Sequence, residues 1–60
     1  MNKENIKKIR LECYMTQLEF SKEIGVSITT VNQWEVGVKK PRLRNIRKIL
    51  QFCKDNNIEV

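Results

Sequence analysis

The sequence contains no histidine, and its two cysteines, Cys13 and Cys53, do not form a CxxC pair. A zinc site would need carboxylate or partner ligands, so we expect no metal. Both cysteines are interpreted as reduced thiols, with a structural bridge as the less favoured alternative. A nucleophile elbow and a phosphate-cradling glycine loop are also missing. These absences argue against an enzyme, and they indicate neither a cofactor nor a small-molecule substrate.

Length and apolar runs are limited too. The chain has 60 residues, which is enough for one small domain predicted over residues 1–60 and leaves little free energy to hold a strained catalytic cavity. No stretch approaches the roughly 20 consecutive apolar residues that cross a bilayer. Residues 1–15 lack the apolar region of a signal peptide. We therefore expect a cytoplasmic protein without a membrane partner.

Charge is present in excess, and it is unevenly distributed. The net charge is +5, yet residues 1–35 carry five basic and five acidic side chains. Residues 36–54 carry seven basic side chains and no acidic one, and the remaining residues add two acids. A concentrated basic segment suits a polyanion such as nucleic acid or an anionic membrane, but it can also be only a solvated surface.

Apolar periodicity predicts helices throughout, and no strand-like alternation is visible. Ile6, Ile9 and Cys13 recur at helical spacing, which predicts a first helix over residues 3–13 that closes at Tyr14 and Met15. Thr16 and Glu19 have the spacing of a capping box, so a second helix should begin at Gln17 and end at Gly25.

Two more helices are expected after this turn. Ser27 is a candidate N-cap for a third helix from Ile28 to about Val36, which should stop near Gly37. A fourth helix should follow Pro41. Its apolar stripe is predicted to contain Leu43, Ile46, Ile49, Leu50 and Cys53. Phe52 lies off this stripe and is interpreted as a surface residue or a subunit contact.

The third helix has an unusual face. A helical step of about 100° per residue places Val31 and Trp34 inward and leaves the opposite face without charge. That face contains Ile28, Thr29, Asn32, Gln33 and Val36. Amides can pair with the N6/N7 edge of adenine, and methyl groups can contact the thymine methyl, in the major groove of DNA. The alternative is an ordinary polar surface, with Ile28 and Val36 extending over the edge of the core.

The run from Gln17 to Val36 closely resembles the Cro/repressor-type, XRE-like helix-turn-helix family of bacterial and phage regulators. The resemblance rests on small Ser21, on Gly25 in the turn, and on the Trp-Glu-x-Gly-x-x-x-Pro signature from Trp34 to Pro41. It implies an all-α, compact, lambda-repressor-like DNA-binding domain of four to five helices, with a central helix-turn-helix and a recognition helix at about residues 28–36.

The resemblance also implies site residues. Ile28, Thr29, Asn32 and Gln33 would contact base edges. Contacts to phosphates would come from Gln17, Ser27, Lys39, Lys40 and Arg42, with Arg44 as a weaker candidate. Arg10 and Glu35 match a pair that forms a salt bridge in several family members.

The implied function is a sequence-specific regulator of transcription, acting as a repressor or controller that binds a palindromic operator in double-stranded DNA as a homodimer. A second hypothesis is a protein-interaction module, such as an antitoxin or anti-repressor, that uses the face containing Ile28 and Val36. Salt would separate the two, because apolar burial is hardly screened whereas phosphate contacts are.

Overall fold

A computed structural model describes residues 1–59 of the chain. Within those residues it contains four helices and no strand: α1 (Lys3–Glu12), α2 (Gln17–Ile24), α3 (Ile28–Val36) and α4 (Leu43–Asp55). The predicted all-α fold is confirmed. The bounds predicted for the third helix agree with those of α3, and α1 ends one residue before the predicted limit.

Side chains cap the first three helices. At the start of α2 the Glu19 amide donates to Thr16 Oγ1 at 3.1 Å, and the Thr16 amide donates to Glu19 Oε1 at 2.8 Å. This confirms the predicted capping box, and the hydrogen bonds from Thr16 lower the pKa of Glu19. Asn2 forms a similar box at α1, and Ser27 caps α3. Arg42, at the start of α4, makes no side-chain cap.

The ends of the first three helices use a left-handed residue. Gly25 and Gly37 follow α2 and α3 with φ angles of 84° and 87°, a region that glycine enters without the steric cost of a Cβ. Tyr14 takes the same role after α1, with a φ of 55°, and the Met15 amide donates to the Arg10 carbonyl at 3.2 Å. A tyrosine pays a steric cost there that glycine would avoid.

One apolar core joins the four helices. Its buried members are Ile6, Ile9, Phe20, Ile24, Val31, Trp34, Ile49, Phe52 and Cys53. The rings of Phe20 and Phe52 meet edge to face, with centroids 5.6 Å apart, a geometry that aromatic quadrupoles favour. Val31 and Trp34 point inward, as the helical wheel predicts.

The prediction for α4 was wrong in part. Phe52 is buried, with 8% of its surface exposed, whereas Leu43 and Leu50 are 62% and 45% exposed. A step of about 100° per residue places Phe52 about 60° to one side of Ile49 and Leu50 about 100° to the other. The α2 helix covers the side of Phe52 through Phe20. The other side leaves an apolar strip of Leu43, Ile46 and Leu50, which we call the α4 flank.

Both cysteines carry free thiols. Cys53 is buried in the core, and this burial is the main reason that its pKa is raised. Residues 1–59 contain no group of three or more cysteine or acidic side chains that could hold a metal ion. In the same residues, no helix combines the length and the apolar character needed to cross a membrane.

Candidate nucleic-acid interface

The pair α2 and α3 is joined by a turn of three residues, Gly25 to Ser27. Ser21, in α2, is 2% exposed and is the buried polar residue of the core. Its hydroxyl donates to the Leu18 carbonyl at 2.6 Å, and its own carbonyl accepts from the amides of Gly25 and Val26. A small, internally bonded side chain at this position lets α2 and α3 pack closely around the turn.

The outer face of α3 is accessible and carries no charge. Ile28 and Val36 are 44% and 55% exposed, so about half of each side chain is free for contact outside the core. Thr29 and Asn32 are exposed and Gln33 is half-buried. Within residues 1–59 the side chains of Thr29, Asn32 and Gln33 make no hydrogen bond. Their donors and acceptors are therefore available to a ligand.

An ion pair joins α1 to the end of α3. Arg10 Nε donates to Glu35 Oε2 at 2.7 Å, and Arg10 Nη2 donates to Glu35 Oε1 at 2.9 Å. The side chains are only 12% and 5% exposed. Arg10 Nη1 also donates to the Met15 carbonyl at 2.9 Å. The pair that the resemblance implies is thus present, with bidentate geometry, and it fixes α3 relative to α1.

Burial of Glu35 opposes ionisation and is the largest single influence on its pKa. The hydrogen bonds from Arg10 and Gln17 and the positive charges of Arg10 and Lys7 together outweigh it, so the pKa of Glu35 lies below its ordinary value. The hydrogen bond to Glu35 raises the pKa of Arg10, although burial acts in the opposite direction. The pair is therefore ionised at neutral pH.

Two residues implied as phosphate contacts are engaged inside the protein. Gln17 Nε2 donates to Glu35 Oε1 at 3.2 Å. The Ser27 hydroxyl accepts from the Thr30 amide at 3.1 Å and lies 2.9 Å from the Thr30 hydroxyl. Each stands at the start of a helix, where free amides and the helix dipole attract an anion. Their placement fits phosphate contacts made with a helix end rather than with a fully free side chain.

The remaining implied phosphate contacts, Lys39, Lys40 and Arg42, lie between α3 and α4 and are exposed. None of them forms an ion pair within residues 1–59, where the pair of Arg10 and Glu35 is the only one. This segment follows directly on the C-terminal end of α3. The uncharged face and the unpaired basic segment are therefore neighbours along the chain, at the C-terminal end of α3.

Two features were not found from the sequence. The hydrogen bond from Gln17 to Glu35 depends on the packing of α2 against α3 and has no local signal. Lys3 of α1 lies beside the turn at Gly37. Its position had a signal, because Lys3 and Arg10 are seven residues apart and so share one face of a helix. That face meets α3 through Arg10.

The fold and this surface define a helix-turn-helix domain. A model of the helix-turn-helix family matches residues 6–54, and the chain belongs to this family, of the XRE type. Neither the comparison with curated proteins nor the comparison with solved structures gave a significant match. Membership supports a DNA-binding regulatory domain with double-stranded DNA as its partner.

Proposed function

We propose that the protein is a sequence-specific regulator of transcription, most simply a repressor, that places α3 in the major groove of its operator. One observation carries this proposal. The outer face of α3 offers two amides and a hydroxyl that have no partner within residues 1–59, and it has no charge. A charge-free polar face is unusual on the surface of a chain that is 32% charged.

The chemistry of the face favours sites that contain A·T pairs. The side-chain amide of Asn32 or Gln33 can form two hydrogen bonds to one adenine. In this arrangement the amide nitrogen donates to N7, and the amide oxygen accepts from the N6 amino group. The Ile28 side chain and the Thr29 methyl group can make apolar contact with the thymine methyl. These four residues would discriminate between bases.

Affinity would come mainly from the DNA backbone. Lys39, Lys40 and Arg42 supply exposed positive charge at the end of α3, and the starts of α2 and α3 at Gln17 and Ser27 supply amides. Each phosphate neutralised makes log K fall by about 0.9 per unit of log salt concentration. Backbone contacts of this kind orient the domain without reading sequence.

We further propose a homodimer on a palindromic operator, with half-sites about 34 Å apart. The α4 flank supports it, because Leu43 and Leu50 are exposed apolar side chains at helical spacing. Met1 and Asn5 border Ile46 and Leu50 on this side. The simplest way for a domain of this size to regulate transcription is to block access to a promoter. Since its partner is DNA, we expect the protein to lie in the cytoplasm.

The test is selection of bound duplexes from a randomised pool, followed by affinity measurements on the selected duplex and on a random one. Gln33→Ala should cost about 1–3 kcal/mol on the selected duplex and almost nothing on the random duplex. Gln51→Ala is the matched control, since Gln51 is an exposed amide on α4 that bonds to Asp55. It should change neither affinity.

The outcomes separate the hypotheses. An enriched inverted repeat rich in A·T pairs supports a dimeric regulator. Equal losses on the two duplexes would refute base reading by Gln33. If no duplex is retained at low salt, and a protein partner binds in a manner that is insensitive to salt, the protein-interaction module is favoured instead. Its surface would be the one around Ile28 and Val36.

A further inference from the structure

A groove lies between the start of α1 and the segment that follows α3. It encloses about 280 Å³, and its walls include Lys3 from α1 and Lys39 and Lys40 from the basic segment. Trp34 and Pro41 also line it. The groove thus brings together charges that are far apart in the sequence. Lys3 comes from residues 1–35, which have no net charge as a whole.

The side chain of Lys3 lies directly against Gly37. A Cβ placed on Gly37 would lie 3.1 Å from Lys3 Cδ and 3.9 Å from Lys3 Nζ. The first distance is too short for ordinary contact between carbon atoms, so the missing side chain of Gly37 leaves the room that the stem of Lys3 occupies. The ammonium group therefore lies near the turn where α3 ends and the basic segment begins.

The electrostatics of the groove favour an anion. Lys3, Lys39 and Lys40 have no ion-pair partner within residues 1–59. Glu4 also lines the groove, but it stands in the first turn of α1, where a carboxylate interacts with the amide end of that helix. Three ammonium groups against one carboxylate leave a net positive charge, which a phosphate would neutralise.

We propose that Lys3 binds a phosphate of the DNA backbone together with Lys39 and Lys40, and so fixes the depth of the C-terminal end of α3 in the groove of the DNA. This inference rests on the proposed DNA-binding function. It adds a contact from α1 to a function otherwise assigned to α2, α3 and the segment after α3. A purely structural role for Lys3, in which its charge faces the carbonyl end of α3, predicts a different response to salt.

The experiment compares Lys3→Gln, Lys3→Arg and Lys8→Gln with the parent chain. Lys8 is the matched control, because it is an exposed lysine on the same helix that lies outside the groove. Circular dichroism establishes that each variant is folded. Fluorescence anisotropy then measures affinity for a labelled random duplex over a series of salt concentrations, and for the selected operator at one concentration.

We expect Lys3→Gln to reduce the steepness of log K against log salt by about 0.9 per bound subunit. The advantage of the parent over Lys3→Gln should therefore shrink about 3.5-fold when the salt concentration rises fourfold. The loss should be equal on operator and random duplex, since a phosphate contact carries no sequence information. Lys3→Arg should keep the slope of the parent.

Other results would overturn the inference. If Lys3→Gln and Lys8→Gln give the same slope while the parent binds DNA, Lys3 does not contact a phosphate, and the proposed function survives. A lower melting temperature for Lys3→Gln with an unchanged slope assigns Lys3 to the stability of α3 alone. Absence of binding to any duplex by the parent would remove the inference and the proposed function together.

Discussion

Removal of Arg10 is the most informative single perturbation of this fold. Arg10→Met deletes three hydrogen bonds: two to Glu35, at 2.7 and 2.9 Å, and one to the Met15 carbonyl, at 2.9 Å. It leaves the Glu35 carboxylate, 5% exposed, with the Gln17 amide at 3.2 Å as its hydrogen-bond donor. An unpaired buried charge of this kind costs about 3–5 kcal/mol.

That cost is large for a small chain. At about 0.05–0.15 kcal/mol per residue, a chain of this length has a free energy of unfolding of about 3–9 kcal/mol. Arg10→Met should therefore remove a third or more of the stability. The double variant Arg10→Met with Glu35→Met removes both charges, and replacement of a whole buried pair by apolar groups is often nearly neutral. We expect it to be more stable than Arg10→Met by about 2 kcal/mol or more.

Urea denaturation at neutral pH measures these differences, with far-ultraviolet circular dichroism as one signal. Trp34, which is 3% exposed, provides an independent fluorescence signal for the loss of the core. A cost below about 1 kcal/mol for Arg10→Met would mean that the pair behaves as a solvated surface pair. A double variant that is no more stable than Arg10→Met would likewise contradict a buried, unpaired Glu35 charge.

Three further predictions concern other parts of the molecule. The pKa of Glu35 is lower in the folded protein than its ordinary value of 4.5, so the unfolded chain binds more protons as the pH falls. The stability that Glu35 contributes is therefore present above that value and is lost as the pH falls through the folded pKa. When the free energy of unfolding is measured against pH, Glu35→Gln should lose less stability in acid than the parent. Tyr14→Gly should stabilise the protein by about 1 kcal/mol in urea denaturation, because it relieves a left-handed residue whose side chain is 95% exposed, and a loss of stability would contradict this. Phe52→Ala should cost about 3–5 kcal/mol and Leu50→Ala less than about 1 kcal/mol, and similar costs for the two would mean that α4 presents a different face to the core.

The sequence was most informative where the signal is local. Thr16 and Glu19 predict the start of α2, and Gly37 predicts the end of α3, because a cap depends on residues within a few positions of each other. Val31 and Trp34 were placed inward correctly because α3 has only one face that is apolar enough to be buried.

Features that depend on neighbouring helices were harder to predict. The stripe of α4 is wider than the part that other helices cover, so the wheel could not decide between Phe52 and Leu50. The covered side is chosen by Phe20, which is far away in the sequence. The contact of Lys3 with Gly37 joins the first residue of α1 to the residue that ends α3. Tertiary packing makes such choices. Local periodicity gives at most the face of a helix, as the seven-residue spacing of Lys3 and Arg10 does.

The shortness of α3 has a consequence for genetics. Isolated helices shorter than about 12–15 residues are marginal in water, and α3 has nine residues. The face of α3 that we propose to contact base edges therefore exists only while the shared core is folded. A screen for variants that lose DNA binding should recover substitutions at Phe20 or Ile49 as readily as substitutions at Asn32. Only a measurement of the folded fraction beside each binding defect would tell a lost contact from a lost helix.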